Sequence, residues 1–144
     1  MTNIVSPKTA LANLKQGIIT GNVTRHFTWR EVFTNRSLDD LATVTLNTLE
    51  NALQHAKKME EVRAKFNRPI AITSWYRDPR SNREVGGSPR SQHLLGLACD
   101  FTVDGLTPKV VQLALENWWE GGLGYGATFT HLDSRANRAR FSYA

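Results

Sequence analysis

Residues 37–67, SLDDLATVTLNTLENALQHAKKMEEVRAKFN, carry apolar side chains at helical spacing over a length that no other part of the sequence approaches. Leu38, Leu41, Ala42, Leu46, Leu49, Leu53 and Ala56 recur three and four positions apart, the period that lines one side of an α-helix. Ser37 marks the expected start, because its hydroxyl can cap the first turn while Asp40, three positions on, reaches back. Past Ala56 the stripe drifts through Met59, Val62 and Phe66, so a bend or break is expected within the element. Two shorter helices are predicted. One lies in TWREVF (28–33); the other lies in TPKVVQLALENWW (107–119), with Thr107 as cap and Pro108 in the first turn, and ends before Gly121 and Gly122. From about residue 70 the apolar period changes to two. IAITSWYR, LACDFTV, GLGYG, TFTHLDS and RARFSY are short and bounded by turn-forming residues, so each predicts a strand. Helices first and most strands later favour an α+β fold, a small, mostly antiparallel sheet flanked by helices, over an alternating βαβ fold.

The 144 residues match the commonest domain size, and no internal repeat or low-complexity linker divides them, so one domain over 1–144 is expected. Eighteen Lys and Arg against thirteen Asp and Glu leave a net charge of +5, which favours an anionic partner. The basic residues are scattered, with the densest group in RANRAR, so no basic arm or stripe marks a nucleic-acid site and none is expected. Cys99 is the single cysteine, which excludes an intrachain disulfide and any CxxC motif. The N-terminal stretch lacks a basic start followed by an apolar run, and no 18-residue apolar stretch occurs elsewhere. The expectation is a protein made in the cytoplasm without a signal peptide, not inserted in a membrane, and acting as a monomer. The stretch RDPRSNREVGGSPRS holds two prolines and a Gly-Gly pair, and predicts an irregular surface loop of the length that often serves function.

LACDFTV read as a strand puts Leu97, Cys99, Phe101 and Val103 on one face and Ala98, Asp100 and Thr102 on the other. Asp100 therefore points away from the apolar layer. His93 lies just upstream, and Gly96 can let the backbone bend so that the imidazole returns over the same face. TFTHLDS by the same period puts Phe129, His131 and Asp133 together. Two histidines and a carboxylate from two strands fit a catalytic zinc with an open position better than a closed structural site, which favours thiolates, because Cys99 faces away from Asp100. The spacing alone is equally compatible with a buried strand that carries two polar residues.

SQHLLGLACD also fits a longer pattern, Ser-x-His-x-x-Gly-x-Ala-x-Asp, through Ser91, His93, Gly96, Ala98 and Asp100. With ITSWYRDPRSNREVGG upstream and GGLGYGATFTHLDSR downstream, it resembles the three ordered blocks of the zinc D-Ala-D-Ala metallopeptidases, whose fold is shared with the hedgehog signalling domain. The likeness runs from about Ile70 to Arg135, and more loosely back to HFTWREVF. It implies zinc on His93, Asp100 and His131. It implies that Arg77 stabilises charge on the substrate carbonyl or terminal carboxylate, and that Ser91 lies near the bound substrate. Several branches of the family place Glu, Asp or His two or three positions before the last zinc histidine. Here those positions hold Thr128 and Phe129, which cannot act as bases. The ending His131-Leu132-Asp133 is similar to that of a subgroup of murein endopeptidases and phage-borne relatives, and makes Asp133 the expected general base, or else a group that orients a zinc histidine.

The resemblance implies a zinc peptidase that cuts stem peptides or cross-bridges of bacterial peptidoglycan. A phage endolysin or virion-associated endopeptidase, acting at the wall and released to the periplasm or carried in the virion, is the leading expectation. A D-Ala-D-Ala carboxypeptidase or dipeptidase, and a non-catalytic wall-binding module that keeps its zinc, are the alternatives. Plainer uses exist for individual residues: Arg77 can pair with Asp78, Trp118 and Trp119 can pack a helix end onto a sheet, and Cys99 reads as core. His26 and His55 read as structural.

Overall fold

The computed structural model describes residues 2–143. The chain runs α1 (Pro7–Lys15), β1 (Asn22–Thr24), β2 (Phe27–Thr28), α2 (Trp29–Val32), α3 (Leu46–Phe66), β3 (Ile70–Ser74), α4 (Pro79–Glu84), a 3-10 turn (Gln92–Leu95), β4 (Ala98–Val103), α5 (Pro108–Leu115), β5 (Gly122–Tyr125), β6 (Thr130–Asp133) and β7 (Ala139–Ser142). β1 and β2 pair as a small hairpin, and the other five strands form one sheet in the order β3-β4-β6-β5-β7. Three of its four pairings are antiparallel, and only β7 runs parallel to its neighbour β5. This is the α+β architecture with a small, mostly antiparallel sheet that the element order predicts.

The five predicted strands occur where expected, and two of the three predicted helices form within their predicted stretches, α5 from its expected cap. Thr107 accepts from the Val110 amide, with Pro108 in the first turn of α5, and Thr28 forms a full capping box with Glu31 at α2. The long helix is the exception. Ser37 and Asp40 do exchange their reciprocal hydrogen bonds, at 2.9 and 3.1 Å, but they close only a run of turns. The helix proper begins at Leu46, capped by Thr45 in an extended conformation. Three consecutive β-branched residues, Thr43, Val44 and Thr45, lose side-chain freedom in a helix, and they separate the capping box from the stripe it was expected to start. The break therefore falls before Leu46 and not after Ala56: α3 continues to Phe66 with Met59 and Val62 fully buried.

The stretch after Arg77 is also more ordered than its composition predicts. Asp78 caps α4 and Pro79 occupies its first turn, an N-terminal pairing strong enough to start a helix of only six residues before Gly86. The helix α1 has the same kind of start, Ser6 followed by Pro7, and lies outside the stretches that the apolar spacing marks as helical.

One apolar core joins α3 through Leu49, Ala52, Ala56, Met59 and Val62 to Val111 and Leu115 of α5, and to Cys99, Phe101, Val103, Leu123 and Leu132 of the sheet. Each of the larger side chains contributes roughly 1.5–3 kcal/mol when fully buried. The alternation expected for β4 holds: Cys99, Phe101 and Val103 are buried in this core, and Asp100 and Thr102 are less buried and point the other way.

Candidate metal centre

The cross-strand registers place one residue from each strand in a single row across the sheet. Ser74 of β3 lies opposite Asp100 of β4, Asp100 opposite His131 of β6, His131 opposite Gly124 of β5, and Gly124 opposite Phe141 of β7. Partners in register share a face, so Asp100 and His131 stand side by side on the face turned away from the apolar core residues of β4. Asp100 Oδ1 lies 2.8 Å from His131 Nδ1.

His93 joins them from the 3-10 turn. Ser91 caps that turn by accepting from the His93 amide at 3.2 Å, and Gly96 ends it at φ +77, the bend that returns the chain into β4. The ring of His93 is 1% exposed. Its Nδ1 donates to the Trp75 carbonyl at 2.6 Å, and its Nε2 lies 3.2 Å from the same Asp100 oxygen. Candidate ligand atoms of His93, Asp100 and His131 all lie within 4.8 Å of one another.

The proton bookkeeping of this cluster is informative. Because the Nδ1 proton of His93 is spent on Trp75, its neutral ring presents a lone pair to a carboxylate oxygen, which is also an acceptor. Burial pushes the His93 pKa down, against the pull of Asp100, so a second proton on this ring is disfavoured. On the other side, His131 Nε2 donates to Asp133 Oδ2 at 2.7 Å, leaving its Nδ1 toward Asp100. Burial lowers the His131 pKa, yet Asp100 and Asp133 together hold it above the ordinary value. Asp100 itself, despite its burial, is held well below the usual carboxylate range by both rings. Without a metal, a proton on His131 Nδ1 can bridge to Asp100; with that proton displaced, two nitrogens and one carboxylate oxygen form the donor set of an open zinc site.

Asp133 stands behind His131 and not in front of the triad. It is 0% exposed. Its Oδ1 accepts from the Gly122 amide at 3.1 Å and from Arg135 Nε at 2.8 Å; its Oδ2 accepts from an Arg135 terminal nitrogen at 2.6 Å as well as from His131. The Arg135 amide adds a further bond at 3.2 Å. Against the effect of burial, Arg135 and His131 hold its pKa well below the usual range. Both oxygens of this carboxylate are thus engaged by donors, one of which is the ring of His131.

Arg77 lies beside the triad. Its amide donates to the His93 carbonyl at 3.1 Å, and one terminal nitrogen donates to Ser91 Oγ at 3.3 Å, so Ser91 ties together the arginine and the turn that carries His93. Arg77 Nε is buried and has no hydrogen-bond partner among the described residues. Burial depresses its pKa while Asp100 raises it. It does not pair with Asp78, whose carboxylate is held at 3.1 Å by Arg36.

The model of the family described as Peptidase M15 matches residues 25–133, a span that takes in His93, Asp100 and His131. The chain belongs to the M15 peptidase family. Family membership makes this chain a metallopeptidase of a zinc-dependent family that acts on peptidoglycan-type substrates. No curated protein matches the chain.

Several residues of this M15 peptidase's site escaped sequence reasoning. The Trp75 carbonyl and the Arg135 fork leave no trace in a residue pattern. The glycines of β5 did leave one: Gly122 and Gly124 alternate on the metal face. A Cβ on Gly122 would lie 2.4 Å from an Asp133 carboxylate oxygen, and one on Gly124 would lie 2.7 Å from the Tyr143 ring. GLGYG thus reads as a strand whose one face is left bare for its neighbours. His55 is buried and structural, as expected: its Nδ1 pairs with the Ser134 hydroxyl, and its ring packs edge-on against Trp75 and Trp119.

Proposed function

We propose that this M15 peptidase hydrolyses peptide bonds in the stem peptides or cross-bridges of bacterial peptidoglycan, with zinc held by His93 Nε2, an Asp100 oxygen and His131 Nδ1. The observation that carries this reading is the convergence of two imidazole nitrogens and a carboxylate oxygen, with the far nitrogens of the two rings held by Trp75 and Asp133. Lewis acidity toward a carbonyl, and acidification of water, are what a zinc ion supplies in such a site.

The remaining work falls to the chain's own groups. Trp75 and Asp133 fix the orientation and tautomer of the two histidines. Arg77, with its guanidinium steadied by Ser91, stabilises negative charge on the substrate carbonyl or terminal carboxylate. Ser91 acts at the substrate site through that arginine. Asp133 is a positioning residue.

On this reading the protein works at the bacterial wall as an endopeptidase, delivered as a phage lysin or as part of a virion. The His-x-Asp ending at His131 and Asp133 supports that assignment, and a net charge of +5 favours approach to an anionic polymer. The full engagement of Asp133 favours one other reading, a wall-binding module that retains zinc without turnover.

Zinc-loaded protein incubated with purified sacculi, followed by mass spectrometry of the muropeptides, tests these readings. Loss of cross-linked dimers identifies an endopeptidase. Loss of terminal D-Ala alone identifies a carboxypeptidase, and unchanged muropeptides in the presence of bound zinc identify a binding module.

A further inference from the structure

The aromatic residues at the end of β7 have no part in the metal chemistry described so far, yet they lie against it. Phe141 is in the same row as Asp100 and His131, and its ring centroid is 5.4 Å from that of His131. Tyr143, two positions on and therefore on the same face, packs its ring 5.0 Å from Phe129, 5.8 Å from Phe141 and 6.2 Å from His131. The amide of Tyr143 donates to the Tyr125 carbonyl, which continues the parallel β5–β7 pairing by one residue. Gly124 makes the arrangement possible, since a Cβ there would meet Tyr143 at 2.7 Å, Phe141 at 2.8 Å and the His131 Cβ at 3.0 Å. A bare position on β5 thus lets residues from the outermost strand lean inward over the central one.

The result is an aromatic wall along one side of the metal centre. Arg135 covers part of Phe141, with its guanidinium carbon 5.1 Å from the ring centre. Tyr143 is different: 45% of it remains exposed. A half-open aromatic ring beside a metal site offers an apolar surface on which a ligand can lie. The surroundings of its phenol agree. Burial, with Asp100 and Asp133, raises the Tyr143 pKa and keeps the phenol protonated, while Arg77 and Arg135 oppose that shift. The ring itself stands against His131 and Phe141, which places the residue beside the metal centre. Arg77 follows β3 at one edge of the sheet and Tyr143 follows β7 at the other. In strand order the two flank Asp100 of β4 and His131 of β6.

We propose that Tyr143 is a substrate-contacting residue of this centre: its ring forms the wall on which the stem peptide lies, and its neutral hydroxyl donates a hydrogen bond to a backbone oxygen of that peptide, across the site from Arg77. The assignment rests on the peptidoglycan reading given above. The phenol keeps its proton in this role, so it need not serve as a base, and a peptide backbone offers the carbonyl acceptors that a phenol donor and a guanidinium can share. The exposed ring suits a substrate with small side chains, which leaves its backbone close to the wall.

The test uses Tyr143→Phe, which keeps the ring, and Tyr143→Ala, which removes the wall, each compared with wild type for zinc content, for affinity toward a muropeptide released from sacculi by a muramidase, and for kcat and KM on the same muropeptide. Affinity is measured on zinc-loaded protein with the products of exhaustive digestion as ligand, where hydrolysis does not intervene. Tyr143→Phe is expected to keep its zinc and to bind the muropeptide about tenfold more weakly, the loss of one hydrogen bond to the ligand, with a larger loss in Tyr143→Ala. Unchanged affinity and unchanged kcat/KM in Tyr143→Phe overturn the proposal. So does loss of zinc from Tyr143→Phe, because that places the role of Tyr143 on His131 and not on the substrate. A wild-type protein that binds the muropeptide without cleaving it removes the peptidase reading, and the affinity comparison still decides the role of Tyr143.

Discussion

Asp100 and His131 stand directly opposite one another on neighbouring antiparallel strands, with Asp100 Oδ1 2.8 Å from His131 Nδ1. The pairing register alone delivers that contact, and His93 completes it from a separate turn. Removing one ligand should therefore leave the strands paired while the metal is lost. His93→Ala is expected to retain little zinc after dialysis, measured by elemental analysis, whereas His55→Phe should retain a full equivalent. Zinc retained by His93→Ala would end the assignment of the site.

Asp133 gives a sharper discrimination, because the orienting and proton-carrying roles predict different losses. With both oxygens occupied by Arg135, Gly122 and His131, its substitution by Asn should weaken zinc affinity by about 10- to 100-fold. At saturating zinc the hydrolysis rate should recover to near that of wild type. A general base would instead show a rate loss of roughly 100-fold or more that added zinc does not repair.

The bare face of β5 predicts a cost for a single methyl group. Gly122→Ala would set a Cβ 2.4 Å from the Asp133 carboxylate, which is itself fixed by the Arg135 fork. Relief requires the carboxylate or the strand to shift, at about 1–3 kcal/mol. Urea unfolding should show that loss, and zinc titration should show weaker binding. Gly86→Ala is a useful contrast, since nothing lies near its Cβ and only its positive φ of +70 resists substitution.

Acid should destabilise the metal-free protein partly through His55. Burial, reinforced by the charge of His131, pushes the pKa of His55 down to about 3, with Asp133 opposing. The unfolded chain takes up a proton near pH 6.5, well before the folded one does. The contribution of this neutral ring is therefore complete above that pH and is lost as the pH falls toward 3, at about 1.4 kcal/mol per unit. His131, whose folded pKa is raised, acts in the opposite sense but is present in both proteins compared. His55→Phe, measured in chelator by urea unfolding between pH 7 and pH 5, should lose less stability than wild type over that interval. Equal slopes would show that His55 does not carry the effect.

Much of this protein follows from local sequence. The period of two through ACDF sends Asp100 away from Cys99 and Phe101, Thr107–Pro108 starts α5, and the spacing from Ser91 to Asp100 marks the turn and strand that bear two of the proposed ligands, because caps and strand alternation depend on near neighbours. Local patterns misled where two signals competed: Ser37 and Asp40 form their box, but three β-branched residues deny it a helix, and the Asp-Pro start of α4 outweighs the glycine and serine around it. Other features had no local signal at all. Whether Asp133 gives its oxygens to a proton or to Arg135, whether His93 commits its proton to Trp75, and whether Tyr143 reaches His131 depend on which strands become neighbours and in what register. Those strands are far apart in the chain, Asp100 and His131 by 31 positions. Only the closed sheet, with two bare glycines on β5, decides where each lone pair and each ring ends up.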